Sequence, residues 1–365
     1  NLENESYSFD MLGEAARTMQ QADNYFNAYM NAIDEVGKLN LIKNLNNGVS
    51  IKISALHPRY EMRKFKDLES ELIPRLIELV HYAHSKDVEI TIDAEEQDRL
   101  TLSLNIIEKL ALDKVIKNWT GFGIALQAYG KRSINVIHWI NKILDKREKM
   151  HLRLVKGAYW DYEIKHAQVF GYEDYPVYSK KSLTDISFLL CAKEILKNEK
   201  IYAKFATHNA HTISSVHQLG QGKDYEFQRL YGMGELLYQS AEKVLNLEKK
   251  PSVYAPIGSY KDLLPYLVRR LLENGANSSF INRLLDPETD ANWLAENPAI
   301  RIEKEKIDIP LPKNIFTERK NSLGFDLSEN SNLENLEKSI SAHKKNKINA
   351  ESIYVNRNEK KNAGQ

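Results

Sequence analysis

Residues Tyr254–Gly275 read YAPIGSYKDLLPYLVRRLLENG, a β-like run that passes into a helical one. We predict that the helix starts at about Lys261, because Asp262 is a suitable N-cap residue. Pro265 then lies in the first turns, where a missing backbone N–H is tolerated best. Gly275 supplies a C-terminal stop. Strand and helix thus follow each other closely, as they do in α/β folds.

The predicted helix has two chemically different faces. Its apolar positions form a stripe that we predict to pack against the protein: Leu263, Leu264, Leu267, Val268, Leu271 and Leu272. The other face carries residues spaced i, i+3, i+4 and i+7: Tyr266, Arg269, Arg270 and Glu273. Two guanidinium groups can saturate one carboxylate through their planar forks, so this face suits a small anion that also carries an amine. A solvated helix face with an i,i+4 Arg–Glu pair is the alternative.

The composition is that of an ordinary globular protein. The 365 residues are 42% hydrophobic and 28% charged, with a net charge of +1, so no global field favours nucleic acid. No apolar run approaches the roughly 20 residues of a membrane-spanning helix, and the polar start Asn1–Asp10 does not resemble a signal peptide. The single cysteine, Cys191, lies in an apolar helical run. We therefore predict a buried thiol, no intramolecular disulfide and a reducing, cytoplasmic setting.

Short β-like runs alternate with amphipathic helical stretches along the chain. We predict eight strands: Ser8–Glu14, Val49–Ser54, Val88–Ala94, Gly121–Ala128, His151–Lys156, Tyr202–His208, Tyr225–Leu230 and Ser252–Pro256. The helical stretches between them include Leu68–Ser85, Leu100–Leu112, Ser133–Glu148, Thr184–Asn198, Thr212–Leu219 and Leu236–Leu247. This alternation predicts right-handed βαβ units, and eight of them fit a (β/α)8 barrel better than a doubly wound sheet.

Each predicted strand carries a polar residue near its C-terminal end, although buried parallel strands are otherwise apolar. These residues are Glu14, Lys52, Asp93, Gln127, Arg153 with Lys156, His208, Gln228 with Arg229, and Tyr254. In a barrel they converge on one rim, which is the catalytic face. We predict that the long aromatic connection Gly157–Leu183 shapes a ligand site at this rim. Because the arginine pair would have no use outside the barrel, we predict that its helix lies over the barrel mouth.

Of three other kinds of site, two are not supported by the sequence and one stays open. The glycine-containing stretches Gly121–Leu126 and Gly232–Leu237 do not complete a nucleotide-binding fingerprint. His208 and His211 have no third ligand at an obvious spacing, so we predict no metal site. Lys52 and Lys156 stand at strand ends, and a Schiff-base lyase or aldolase therefore stays open as an alternative function.

The stretch Arg153–Asp161, RLVKGAYWD, points to a different chemistry. Basic residues end the strand, Gly157 allows close approach of the backbone to a ligand, and Tyr159 and Trp160 supply flat surfaces. An anionic, planar cofactor fits this combination, since nearby cations stabilise a reduced flavin ring. A phosphorylated sugar is the alternative ligand.

Six motifs resemble the proline dehydrogenase domain of the bifunctional proline utilization A flavoenzymes. They read SIKISALHPRYE, TIDAEEQDR, RLVKGAYWD, FATHNAHT, YEFQRLYGMGE and YAPIGSYKDLLPYLVRRLLENGANSSF. The resemblance runs in order from about Tyr7 to Arg319, and motifs of this length are highly specific. It implies a distorted (β/α)8 barrel with non-covalent FAD, the last barrel helix over the mouth, and oxidation of L-proline to Δ1-pyrroline-5-carboxylate. A degenerate barrel that binds flavin without turnover is a further alternative.

The resemblance also implies roles for individual residues. Those implied at the substrate and in the chemistry are Lys52, Asp93, Arg153, Tyr254, Tyr266, Arg269, Arg270 and Glu273, with Leu154 and Tyr159 near the ring. Those implied at the FAD are Gln127, Arg153, Val155, Lys156, Gly157, Trp160, Thr207, His208, Asn209, Glu226 and Gln228. The arginine pair and Lys52 would bind the substrate carboxylate, and Arg153 would approach flavin N5.

The resemblance finally implies a domain plan and partners. We predict a barrel over residues 1–285, a linker over residues 286–328 that leads toward an aldehyde dehydrogenase domain absent from this chain, and a poorly structured tail over residues 329–365. The implied electron acceptor is a membrane quinone, and the expected location is the cytoplasm, peripheral to the inner membrane.

Overall fold

The structure is a computed structural model, and it describes residues 5–275, 295–305 and 309–344. For residues 261, 262, 265 and 272–275 the structure describes the backbone and not the side chains. The predicted helix stripe residue Leu272 and the predicted site residue Glu273 therefore lie outside the described side chains.

Eight parallel strands close into a barrel in sequence order, and the last strand pairs with the first. They are β1 (Tyr7–Met11), β2 (Gly48–Ile51), β3 (Glu89–Ile92), β4 (Phe122–Gln127), β5 (Met150–Val155), β6 (Ile201–Ala206), β7 (Tyr225–Leu230) and β8 (Ser252–Ile257). In the closing register Ser8 lies opposite Tyr254. All eight predicted strands and the barrel are thereby confirmed. The carboxyl ends of parallel strands meet at one edge, so this arrangement creates a single rim.

Helices connect the strands around the outside of the barrel. Those up to residue 275 are α1 (Met19–Lys43), α2 (Phe65–Glu71), α3 (Ile73–Lys86), α4 (Leu100–Ala111), α5 (Ser133–Leu144), α6 (Trp160–Phe170), α7 (Lys181–Ile195), α8 (Ala210–Leu219), α9 (Glu235–Leu245) and α10 (Tyr260–Gly275). Two helices follow in the described part of the remaining chain, α11 (Pro298–Lys304) and α12 (Asn330–His343). No helix of these described ranges is long and apolar enough to cross a membrane.

Several predicted boundaries were wrong, each for a local reason. The single helix predicted over Leu68–Ser85 divides at Leu72, because Pro74 begins a new helix, α3, at its first turn. The aromatic connection after β5 is not an open loop, since it contains α6 and the beginning of α7. The helix α10 begins at Tyr260, so Asp262 lies inside its first turn and is not its N-cap.

The apolar core lies between the barrel and its helices. Leu76 of α3, Ile106 of α4 and Phe188 of α7 are buried there together with the outward-facing side chains of the strands. Cys191 is also fully buried in this layer, which confirms the predicted core thiol. The layer seals the outside of the sheet, and the barrel interior is free to hold polar groups.

Polar side chains fill much of the barrel interior. The imidazole of His151 occupies the space beside Gly123, where a Cβ atom would overlap the ring. Below it, Lys204 Nζ lies 2.6 Å from Glu89 Oε2 and 3.5 Å from Glu226 Oε1. Buried charges of this kind are tolerated because they are paired. The N-terminal half of the barrel is therefore closed by ion pairs, and the opposite end is left for the site.

The chain beyond α10 packs on the outside of α6 and α7. Tyr175 OH donates to the Pro310 carbonyl (2.7 Å), and Ser182 Oγ donates to Glu305 (2.7 Å). Gly324 N donates to the Gly171 carbonyl at 3.0 Å. Residues 276–294, 306–308 and 345–365 lie outside the description. The predicted domain boundaries at residues 285 and 328 stay predictions.

Candidate active site at the barrel mouth

A cluster of polar side chains surrounds Asp93, which directly follows β3. Arg153 Nη1 donates to Asp93 Oδ1 (2.7 Å), while Lys52 Nζ (3.1 Å) and Tyr254 OH (2.7 Å) donate to Oδ2. Burial alone would raise the pKa of Asp93, but the charges of Lys52 and Arg153 and the hydrogen bond from Tyr254 together hold it below its usual value. Asp93 is therefore an ionised carboxylate that organises three donors from three strands.

Arg153 reaches this cluster because residues of β5 alternate between the two faces of the sheet. Its side chain points into the barrel, where Nη2 donates to Ser8 Oγ (2.6 Å) and Nη1 to Ser50 Oγ (3.1 Å). Its guanidinium lies over the ring of Tyr254 at 4.9 Å. Leu154, predicted near the substrate ring, belongs to the apolar core. Within the described residues, Arg153 Nε is buried without a hydrogen-bond partner, which marks it as available to a ligand.

Lys52 lies directly after β2 and is nearly inaccessible to solvent. Its ammonium donates to Asp10 Oδ1 (2.6 Å) and lies 3.5 Å from Tyr254 OH. Burial would lower the pKa of Lys52, but Asp10, Tyr254 and Asp93 outweigh that effect and raise it well above the usual value. The side chain is therefore a fixed cation and not a neutral amine.

The helix α10 contributes the predicted arginine pair to the same rim. Arg269 forms a two-pronged ion pair with Glu14, in the loop after β1, at 2.6 and 3.2 Å. Its guanidinium also lies over the ring of Tyr159 at 5.4 Å. Arg270 lies over the buried ring of Tyr266 at 5.1 Å. The contacts of Arg269 with Glu14 and Tyr159 and the burial of Tyr266 place the polar face of α10 against the barrel mouth, as predicted.

The predicted packing stripe of α10 was wrong. Four of its five described apolar side chains are exposed, at 62% for Leu264, 45% for Leu267, 43% for Val268 and 70% for Leu271, whereas Tyr266 is 6% exposed. A helix that packs on the apolar outside of a barrel turns its leucines inward, but α10 lies against a charged mouth. Its orientation is therefore set by the ion pairs of its polar face.

Gln127 and Gly157 shape the backbone after β5. Gln127 Nε2 donates to the Glu95 carbonyl (2.8 Å), and its Oε1 accepts from Ala158 N (3.1 Å). Gly157 has φ +141°, and a Cβ atom there would overlap the ring of Tyr129. Only glycine meets both requirements. The backbone just past Val155, the last residue of β5, is thus held in one conformation at the rim.

A second group of cations lies beyond this turn. Lys156 forms an ion pair with Asp185 of α7, and Lys181 Nζ pairs with the same carboxylate at 3.0 Å. The charges of Arg301 and of these lysines also help to lower the pKa of His211, after burial. Nearby, Trp160 Nε1 donates to the Tyr178 carbonyl at 2.9 Å. Arg301 Nε in turn lies 4.0 Å from Glu296 Oε2, and Glu305 accepts from Ser182, so basic and acidic side chains alternate beyond this turn.

The residues after β6 and in β7 complete the rim. His208 Nε2 accepts from Leu230 N (3.0 Å), and burial, followed by the charges of Arg270 and Arg229, lowers the pKa of His208 to about 4. Asn209 caps α8 by accepting from Thr212 N (2.9 Å). Thr207 Oγ1 accepts from Asn209 N at 3.2 Å.

Gln228 also turns its polar end into the barrel. Its Nε2 donates to Ser252 Oγ (3.0 Å), and its Oε1 is buried without a partner among the described residues. Gln228 Oε1 and Arg153 Nε are thus two buried polar atoms of the interior whose hydrogen-bonding capacity is unused among the described residues.

Glu226 is not brought to this rim. It lies near the start of β7, where it accepts from Tyr202 OH (3.0 Å) and Ser252 Oγ (2.7 Å) and pairs with Lys204. These neighbours belong to the N-terminal half of the barrel. The cofactor role implied for Glu226 stays a prediction. The contacts described for Glu226 make this residue part of the ion-pair network inside the barrel.

Sequence reasoning missed Asp10 as a site residue, and it placed Glu14 on the rim without assigning it a partner. The strand prediction ran three residues too far, so Glu14 was assigned to the end of β1 and its pairing with α10 was not foreseen. Asp10 alternates with Phe9 and Met11 in that strand, and an ionisable residue at the inward-facing position was the available signal.

The closed barrel and the charged cluster at its C-terminal rim define a (β/α)8 barrel of the catalytic type. Residues 1–283 match the proline dehydrogenase family. The chain belongs to that family.

Bifunctional protein PutA of Klebsiella aerogenes is 45% identical over 356 residues, which cover 92% of this chain and 27% of the relative. The chain thus spans about a quarter of that relative's length. Proline dehydrogenase 1, mitochondrial, of Caenorhabditis elegans is 27% identical over 67% of this chain and 41% of that protein. A crystal structure of a variant of Bradyrhizobium japonicum proline utilization A has a TM-score of 0.88 and 42% identity, covering 94% of this chain and 36% of that one.

Proposed function

We propose that this chain oxidises L-proline to Δ1-pyrroline-5-carboxylate with FAD bound at the barrel mouth. The observation that carries the proposal is the placement of cations on two sides of the mouth. Lys52 lies directly after β2, Arg269 of α10 contacts Glu14 at the rim, and the charge of Arg270 acts on His208. A small amino acid carboxylate between them would receive charge-assisted hydrogen bonds from both sides.

The substrate end of the site follows from these positions. Tyr254 and Tyr266 present rings that would flank the five-membered ring of proline, and Tyr159 lies beneath Arg269. The secondary amine of proline must be neutral to release hydride, and a surrounding of cations favours that form. Holding the carboxylate and the ring together positions the carbon next to nitrogen for reaction.

The cofactor end fits a flavin nucleotide. Arg153 Nε and Gln228 Oε1 are buried polar atoms without partners in the described structure, as expected where a ligand's hydrogen-bonding edge would lie. Gly157 holds the turn after β5 in its left-handed conformation, and Lys156 and Lys181, which share the one carboxylate of Asp185, would face a diphosphate. Gln127, Val155, Trp160, Thr207, His208 and Asn209 are the further residues that we propose to border the cofactor. FAD, when bound, would supply the hydride acceptor, and the cation of Arg153 would stabilise its reduced form.

The Schiff-base alternative is disfavoured by the state of Lys52. Imine formation needs a neutral amine, but Lys52 is held as an ammonium by Asp10 and Asp93. Lys156 has a pKa that burial lowers, although its pairing with Asp185 opposes the loss of its proton. Lys156 therefore remains the relevant residue for a test of this alternative.

An absorption spectrum of the purified protein, recorded anaerobically with and without proline, tests the proposed function. Oxidised-flavin bands that bleach on addition of proline are the expected result. Flavin bands that persist with proline would indicate a degenerate barrel without turnover. A colourless protein that borohydride traps with a carbonyl substrate at Lys156 or Lys52 would instead establish the lyase.

The wider context also belongs to the proposal. By resemblance to the family, we propose a membrane quinone as electron acceptor, an aldehyde dehydrogenase domain as covalent partner in a longer protein, and a cytoplasmic location peripheral to the membrane. We further propose that the catalytic unit is residues 1–285 and that residues 286–328 are a linker.

A further inference from the structure

Asp10 is a buried carboxylate for which the proposed function names no role. It is the fourth residue of β1, is 2% exposed, and lies 2.6 Å from Lys52 Nζ through its Oδ1. Within the described part of the chain, its side chain makes no other hydrogen bond. A carboxylate withdrawn from water at this depth is stable only beside a cation, so Asp10 and Lys52 form one unit.

The charges around Lys52 show why a second carboxylate is present. Asp93 faces Lys52 from the end of β3, Asp10 from β1, and Tyr254 from β8, while Tyr29 of α1 accepts from the backbone N of Lys52. Asp93 is shared with Arg153, whose guanidinium lies 2.7 Å away. Two cations therefore face two carboxylates, and Asp93 alone would balance only one of them.

We propose that Asp10 is a positioning residue that holds Lys52 protonated and directed toward the substrate carboxylate. The proposal rests on the proposed function, in which Lys52 is one of the carboxylate-binding cations. Without the charge of Asp10, Asp93 would be the one carboxylate of this group that balances the two cations Lys52 and Arg153. A buried lysine with an inadequate counter-charge loses its proton more readily. Lys52 would then become neutral within the working pH range and bind the carboxylate less well as pH rises.

The test uses the full chain with its flavin and an artificial electron acceptor. Steady-state proline oxidation is measured from pH 6 to pH 9 for the wild type, Asp10→Asn, Lys52→Met and the double variant. For Asp10→Asn, the KM for proline relative to wild type at the same pH should rise about tenfold or more between pH 7 and pH 9, with a smaller change in kcat. In the Lys52→Met background, Asp10→Asn should change KM by no more than about twofold, because the two residues act as one unit.

A purely structural role gives a different pattern. Asp10→Asn would then raise KM by the same factor at every pH and by the same factor with or without Lys52, and that result would overturn the proposal. If Asp10→Asn does not fold, the folding of the double variant tests the coupling instead, because that variant removes both buried charges. A folded double variant that carries flavin supports the coupling of Asp10 to Lys52, and an unfolded one refutes it. Failure of the wild type to oxidise proline would instead reject the proposed function.

Discussion

Arg269 and Glu14 lie 255 residues apart in the chain and form a two-pronged ion pair at the barrel mouth, with N–O distances of 2.6 and 3.2 Å. The pair joins α10 to the loop after the first strand. Because both partners are largely shielded from solvent, the contact is worth more than an exposed surface pair. It therefore fixes the helix that carries both arginines to the loop that follows the neighbouring first strand.

Loss of the ion pair between Arg269 and Glu14 should weaken substrate binding. Glu14→Gln keeps the size of the side chain but removes its charge, so α10 is held over the mouth less firmly. We expect KM for proline to rise about 5- to 30-fold, equivalent to about 1–2 kcal/mol, with flavin content unchanged. Steady-state kinetics and the flavin absorbance measure both quantities. Glu78→Gln, on the exposed face of α3, is the matched control and should leave KM unchanged. An unaltered KM in Glu14→Gln would show that the pair does not hold the helix.

The two arginines should act on the substrate and not on the cofactor. Arg269→Met and Arg270→Met each remove charge-assisted hydrogen bonds worth roughly 1.5–3 kcal/mol, so KM should rise about 10- to 150-fold in each. Both variants should retain FAD, which an absorption spectrum checks against protein concentration. Wild-type affinity for proline in both variants would remove these residues from the carboxylate clamp.

Glu163 should make the stability of the protein depend on pH. Burial raises the pKa of this α6 carboxyl to about 8, and its Oε1 accepts from Gln97 N (2.7 Å) and Tyr129 OH (3.3 Å). Because the folded-state pKa lies above the unfolded value, the folded protein is destabilised as pH rises from about 4.5 to 8, by up to about 1.4 kcal/mol per unit.

Glu163→Gln imitates the protonated side chain, so it should melt at a higher temperature than the wild type. The difference should widen between pH 5 and pH 8 and level off above pH 8, as thermal unfolding at a series of pH values would show. Glu163→Ala is the control, since it loses both hydrogen bonds and should melt lower than the wild type. A pH-independent difference for Glu163→Gln would mean that the carboxyl is ionised in the folded protein at neutral pH.

Two shortened chains should show which part of the C-terminal segment the barrel needs for its stability. A chain that ends at Ser328 loses α12 and the contacts of Glu329 with Arg132 and Thr101, but keeps the segment packed on α6. We expect it to retain flavin and to melt within a few degrees of the full chain. A chain that ends at Glu305 also loses the contacts of Pro310 and Gly324 with the barrel, and it should melt distinctly lower. Loss of flavin from the chain ending at Ser328 would place α12 within the catalytic unit.

Local sequence patterns were sufficient for the barrel and for most of its rim. Strands and helices are encoded by periodicities of a few residues, and a polar residue at the end of a buried strand is conspicuous because its neighbours are apolar. Lys52, Asp93, Arg153 and Tyr254 were found in this way, and the structure brings them into one cluster. The chemistry expected of that cluster came only from the resemblance of the motifs to a family.

The sequence by itself determined an eight-unit α/β barrel and the residue types that meet at its mouth. Tertiary structure alone decided which face of α10 turns inward, because the usual preference for buried leucines is reversed where a helix covers charged groups. It also decided the partners of Lys52 and Arg269. Asp10 and Glu14 are distant from them in the chain, and no local periodicity records a contact that exists only once the barrel has closed.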